Sequence, residues 1–284
     1  MKKFFYPLVL LTAFTISCSS DDDATSTSTL RLNLNGLENL GANFVYEGWI
    51  VVNGTPITTG TFTVNDAGML SKTEFDVDRN QLRNATDFVL SIEPTNDPDP
   101  APSNTKYLAG SFNGVTATVT SGIIGDFSVS TGKYVLGTPT NGNANPNAGV
   151  WFMNGNGPSV GLSLPTLDAG WKYEGWVVSN GVVLSTGTFS NPNGPDMSAI
   201  YSGMMPSPPF PGEDFLLNAP AGLTFPANLS GATLVISVEP FPDNSPMPFT
   251  LKPLSHNVAN PAITGTTISM ERSLMSFPTG TVSR

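Results

Sequence analysis

The sequence predicts an all-β chain: two tandem β-sandwich-like domains from an internal duplication, preceded by a signal segment and a flexible tether. Three observations lead there. Glycine and proline together fill nearly a fifth of the 284 positions, with 28 Gly and 25 Pro, and these residues interrupt helices and build turns. No useful stretch carries apolar residues at the i, i+3, i+4, i+7 spacing of an amphipathic helix, whereas short alternating runs are many. Residues 46–62 (YEGWIVVNGTPITTGTF) recur at 173–189 (YEGWVVSNGVVLSTGTF), eleven of seventeen positions being identical at an offset of 127. A repeat of this kind sets the frame for the whole chain.

Composition narrows the chemistry. Charged residues make 12% of the chain, about half the ~25% of an ordinary soluble domain. A net charge of −10 leaves no electrostatic footprint for nucleic acid. One Cys and one His exclude an internal disulfide, a thiolate zinc cage and a His-rich metal site, and they disfavour a His-based triad. No cofactor is expected. Hydrophobic residues at 39% suffice for a packed core.

The first element is residues 1–17, read as a signal peptide. Lys2 and Lys3 precede the apolar run Phe4 to Ile16, which as a helix would rise only ~20 Å, short of a ~30 Å hydrocarbon core. Its end, Thr15-Ile16-Ser17-Cys18, resembles a bacterial lipoprotein lipobox, with Ser17 as the small residue before the Cys and Thr15 where Leu is usual. The resemblance implies that Cys18, the lone cysteine, carries acyl chains such as palmitate and becomes the mature N-terminus, anchoring the protein to a membrane. Loss of Lys2 and Lys3 takes the net charge from −10 to −12. Residues 18–29, with Asp21-Asp22-Asp23 followed by Ser and Thr, read as a flexible tether. Ser19 in place of Asp after the Cys resembles lipoproteins sent to the outer membrane. The acidic run is similar to surface-export signals of some Gram-negative lipoproteins, so a cell-surface location is also expected.

Two units follow, 30–138 and 163–284, with 139–162 linking them. In each, the repeated motif reads as a β-hairpin. Tyr46, Gly48 and Ile50 alternate with Glu47, Trp49 and Val51, and Asn53-Gly54 supplies the positive-φ pair of a two-residue turn. Asn180-Gly181 does the same after Tyr173, Glu174 and Trp176. Ser91-Ile92-Glu93-Pro94 and Ser237-Val238-Glu239-Pro240 follow the two copies. Their larger offset places an insertion in the second unit, the Pro-rich stretch Met204 to Gly212. A weaker echo relates Phe127…Thr131-Gly132 to Phe277…Thr279-Gly280. Further strands are expected at 30–35, 57–64, 88–93, 115–120, 134–137, 150–153, 159–164, 233–239 and 262–270.

Among residues that could carry chemistry, Glu47 and Glu174 are equivalents, as are Glu93 and Glu239, so each pair is one residue counted twice. A carboxylate tying the hairpin to its neighbouring strand is the expected role, and no catalytic residue is assigned; the chain is read as a non-enzyme. Trp49 and Trp176 are expected in the core. Trp151 and Trp171, near the inter-repeat segment, are expected in the core or at a domain interface, with ligand stacking as the alternative. Together with Phe210 in the insertion they are the candidates for stacking, which would suit a glycan. Asp76 and Asp78, and Asp97 and Asp99, have the oxygen spacing of calcium loops, but Gln81 stands where the calcium-loop pattern needs Gly, and solvated loops are expected. His256 stands alone.

The run Tyr134 to Thr140, Gly149-Val150-Trp151-Phe152, Gly161 to Pro165 and Gly170 to Val178 resembles the extracytoplasmic C-terminal domain of anti-sigma-K factors. In that family a W-[LIV]-V strand, a Gly turn and a Gly-x-Phe strand succeed one another, as in Trp49-Ile50-Val51…Gly60-Thr61-Phe62 and Trp176-Val177-Val178…Gly187-Thr188-Phe189. The resemblance implies an all-β domain outside the cytoplasm. It does not reach a sigma-binding segment. The expected function is binding or sensing of an envelope protein by a non-catalytic lipoprotein, with a glycan as the alternative ligand.

Overall fold

The computed structural model describes Met1 and residues 26–242 and 245–284. The signal segment, Cys18 and the tether through residue 25 lie outside the described residues. The first half contributes β1 (Thr27–Asn35), β2 (Phe44–Val52), β3 (Thr55–Phe62), β4 (Glu74–Asp78), the helix α1 (Arg79–Asn84), β5 (Asp87–Pro94), β6 (Lys106–Asn113) and β7 (Thr116–Thr120). Then come β8 (Thr131–Leu136), β9 (Gly149–Trp151), β10 (Met153–Asn154), β11 (Ser159–Val160) and β12 (Leu162–Ser163). The second half adds β13 (Trp171–Ser179), β14 (Val182–Phe189), β15 (Gly212–Asp214), β16 (Thr233–Pro240), β17 (Leu254–Asn257), β18 (Ile268–Ser269), β19 (Glu271–Arg272) and β20 (Thr279–Ser283). The all-β class holds.

Both copies of the motif form the same hairpin for the same local reasons. Asn53 and Gly54 have φ of 51° and 80°, and Asn180 and Gly181 have 51° and 78°, the left-handed pair whose twist matches the flanking strands. Each hairpin carries a bulge at one place, between Gly48 and Trp49 in β2 and between Gly175 and Trp176 in β13. The extra residue opposite is Thr59 or Thr186. A Cβ at Gly48 would lie 2.5 Å from Thr59 Oγ1, and one at Gly175 would lie 2.3 Å from Thr186 Oγ1. Hence glycine precedes tryptophan in both copies.

Each hairpin continues through the strand that ends in Ser-x-Glu-Pro. β2 pairs with β5, setting Tyr46 opposite Ile92, and β13 pairs with β16, setting Tyr173 opposite Val238. One sheet runs β3-β2-β5-β6-β7-β20-β1-β4, and another runs β14-β13-β16-β17-β19. A third runs β12-β8-β9-β15, with β18 on the other side of β8.

The closing strands overturn the expected division into two self-contained units. β20, from the end of the chain, lies between β7 and β1 in the first-half sheet. β8, expected in the first unit, pairs with β12 and β18 of the second half. The two echoing segments have thus exchanged places, and where they cross, Phe127 and Phe277 meet edge to face with ring centroids 5.4 Å apart. Residues 139–162 are not a linker either: β9 pairs with β8 and with β15.

A single apolar core therefore runs through both halves, from Leu30 and Val282 to Leu254 and Val258. Its junction is aromatic: Tyr107 lies 5.6 Å from Trp171 and 5.4 Å from Phe249, centroid to centroid. Trp171 Nε1 donates to the Lys106 carbonyl at 3.2 Å, and the Thr250 amide donates to Glu38 Oε2 at 2.7 Å.

Candidate functional site

The residues of the repeated motif build two matching buried relays. In the first half Trp49 Nε1 donates to Ser91 Oγ at 2.8 Å, Ser91 donates to Glu93 Oε1, and the Ser103 amide donates to the same oxygen at 2.9 Å. In the second, Trp176 Nε1 donates to Ser237 Oγ at 2.7 Å, Ser237 donates to Glu239 Oε1, and the Phe249 amide closes on that carboxylate at 2.9 Å. All six side chains are buried. Burial raises the Glu93 carboxyl above its ordinary range, against the hydrogen bonds from Ser91 and Ser103 that lower it. The other glutamates bond inside their own hairpins, to side-chain hydroxyls rather than to the neighbouring strand: Thr58 donates to Glu47 and Ser185 donates to Glu174. Tyr46 and Tyr173 complete the set. Their hydroxyls reach the carbonyls of Glu38 and Pro165 at 2.9 and 2.6 Å, and their rings stack on Phe62 and Phe189. The tryptophan, tyrosine and glutamate members of the motif are thereby tied to the scaffold, whereas the bulge hydroxyls of Thr59 and Thr186 and Glu93 Oε2 are buried without a hydrogen-bond partner among the described residues.

Of the three stacking candidates named from the sequence, two lie in the core. Trp151 and Trp171 are buried, 2% and 3% exposed, and offer no face to a ligand; the first plugs the β8–β9–β15 layer and the second the junction of the halves. Only Phe210 is half-exposed. As strand and junction residues, both tryptophans supply large apolar area where the core most needs it. Asp78 caps α1, accepting from the Asn80 and Gln81 amides at 2.9 Å each. Asp76 accepts from Thr29, and Asp97 and Asp99 close short turns on Asp99 and Ala101. Among the described residues no cluster of His, Cys, Asp and Glu has metal-binding geometry. His256 Nδ1 is 2.9 Å from the Tyr134 hydroxyl.

A second polar network, absent from the first half, anchors the insertion. Trp151 Nε1 donates to Asp214 Oδ1 at 2.7 Å, and the Thr140 hydroxyl and amide donate to Oδ2. Ser202 donates to Glu213, and the Gly212 amide donates to Asp196 Oδ2 at 2.8 Å. Burial, with Glu213 and Glu174 nearby, pushes Asp196 up to about 7. Burial raises Glu213 and Asp214 as well.

Around this network, residues 197–217, which contain the insertion Met204 to Gly212, carry apolar side chains outward. Met204 is fully exposed, Met197 is 75% exposed, and Ile200, Met205 and Leu217 are each about half exposed or more. Ile200 and Leu217 lie together, because the Leu217 amide bonds to the Tyr201 carbonyl and Asn218 Nδ2 bonds to the Ile200 carbonyl. The sequence signal for part of this surface was the insertion itself, Met- and Pro-rich and missing from the first copy. No protein-family model, no curated protein and no solved structure matches this chain.

Proposed function

We propose that this protein is a non-catalytic, lipid-anchored lipoprotein of the outer membrane whose doubled β scaffold holds out the inserted segment to bind an envelope protein. The observation that carries this reading is the exposed apolar set Met197, Ile200, Met204, Met205 and Leu217 on one anchored segment. Several large apolar side chains left in water along one segment favour a partner that covers them, and unbranched methionine adapts to irregular partner surfaces. The lipobox-like Thr15 to Cys18 and the likeness to anti-sigma-K extracytoplasmic domains support a place in the envelope. The buried Trp–Ser–Glu relays support a scaffold role for the repeated residues. The test is a photo-crosslinking amino acid at Met204 or Met205 in living cells. A reproducible partner protein, lost when the label is moved to Thr118 in the first-half sheet, is expected. Equal patterns from both positions refute the reading.

A further inference from the structure

A second surface gathers cations where the fold begins. The protein is acidic overall, yet Arg79, Arg83 and Arg284 surround one cleft of about 420 Å³, with Ser28, Gly114 and Val115 as its other walls. Arg79 and Arg83 stand four apart on α1 and so share a face. Arg284 is set by the fold: its guanidinium donates to the carbonyls of Leu82 and Ala85 at 2.7 Å each and of Gly114 at 3.0 Å. It also stacks over Phe112, 4.3 Å from the ring centroid. Among the described residues no carboxylate forms an ion pair with any of the three; the single salt bridge is Arg31–Glu74. At the lip of the cleft the β6–β7 turn projects Val115, 65% exposed.

The location gives the cleft its partner. The Ser26 carbonyl accepts from the Arg79 amide at 2.8 Å, so the chain enters the fold beside the first arginine. Ser26 comes eight residues after Cys18, and eight residues span at most about 28 Å. A lipid on Cys18 would therefore keep this face within about 28 Å of the bilayer. We propose that the cleft lined by Arg79, Arg83, Arg284 and Val115 docks on the phosphate groups of an anionic membrane surface. The exposed Arg79 and Arg83 guanidiniums match phosphate in shape and charge. Arg284, bound to backbone carbonyls, adds positive charge behind them, and an apolar tip beside cations suits the boundary of headgroups and acyl chains. The orientation rests on the lipid-anchor reading; the binding chemistry does not.

The test separates the two. The processed chain, residues 18–284 with Cys18→Ser, has no lipid and is titrated with vesicles of phosphatidylcholine alone or containing phosphatidylglycerol. Preference for the anionic vesicles is expected, weakened by salt near 1 M. Each arginine near such a surface is worth about fivefold in partitioning, so Arg79→Gln with Arg83→Gln should lose roughly thirtyfold. Both side chains are exposed, and circular dichroism checks that the fold survives. The control pair Lys133→Gln with Arg272→Gln removes equal charge from exposed positions elsewhere and should keep binding. No preference for anionic vesicles, or equal loss in the control pair, overturns the proposal. So does displacement by millimolar inorganic phosphate at constant ionic strength, which would mark a small-anion pocket. Fatty-acid labelling of Cys18 is read separately: labelling without vesicle preference sinks the docking surface alone, and vesicle preference without labelling sinks the anchor alone.

Discussion

Substituting Ser237→Ala tests the buried relay most directly. Its hydroxyl accepts from Trp176 Nε1 at 2.7 Å and donates to Glu239, and all three residues are within the core. Truncation orphans the indole N–H, at a cost of about 1–3 kcal/mol, and removes a hydrogen bond to a carboxylate worth about 1.5–3 kcal/mol. The expected loss is about 3–5 kcal/mol, a large share of the stability of an ordinary domain. With a urea slope near 3 kcal/mol/M, the midpoint should fall by about 1–1.5 M. Trp176→Phe removes the donor together with its need, so Ser237→Ala should cost about 1–3 kcal/mol less in that background. Ser91→Ala offers an internal replicate, because Trp49, Ser91 and Glu93 repeat the geometry. Urea unfolding followed by circular dichroism reads all four variants. A midpoint shift under about 0.3 M at both serines, or no coupling in the cycle, refutes the reasoning.

Four other outcomes follow from the structure. Asp196, raised to about 7 from 3.8, keeps its proton in the folded protein after the unfolded chain has lost its own. Stability from this group is thus full below pH about 4 and is lost as pH rises to about 7. Asp196→Asn should flatten that fall by up to about 4 kcal/mol in urea titrations across the range, and an unchanged slope counts against the assignment. Val282, fully buried in the closing strand β20, should cost about 2–3 kcal/mol as alanine, in a single transition for both halves because they share a core; two separate transitions would contradict the exchange of strands. Met204→Asp with Met205→Asp should leave the urea midpoint nearly unchanged, since exposed substitutions cost within about 0.5 kcal/mol, while removing the crosslinked partner. Cys18→Ala should abolish fatty-acid labelling and release the protein from membranes, and retained labelling refutes the anchor.

Much of the local structure was legible because its causes are local. The Asn-Gly pairs at 53–54 and 180–181 dictate the turn, and alternation on either side dictates the strands. β6 was not legible: Lys106 to Asn113 contains Ala, Gly and Ser, weak strand formers, and it is a strand because β5 and β7 flank it. The stretch 262–270, expected as a strand, is reduced to Ile268–Ser269 by Pro261 and by Gly265, whose φ is 68°. The six-residue α1 shows no amphipathic period; Asp78 starts it by capping two amides.

The sequence by itself determined the all-β class, the twin hairpins and the structural use of Tyr46, Glu47, Trp49 and their counterparts Tyr173, Glu174 and Trp176. These follow from φ preferences, side-chain alternation and the duty of a buried polar group to find a partner. Only the tertiary structure decided where β8 and β20 belong, since a strand's own pattern says which face is buried but not which neighbour lies beside it. It likewise decided that Trp151 and Trp171 lie inside, that the methionines of the insertion lie outside, and that Arg284 joins Arg79 and Arg83 at one cleft. Each of these depends on how separate segments meet, and such juxtaposition leaves no period in the chain.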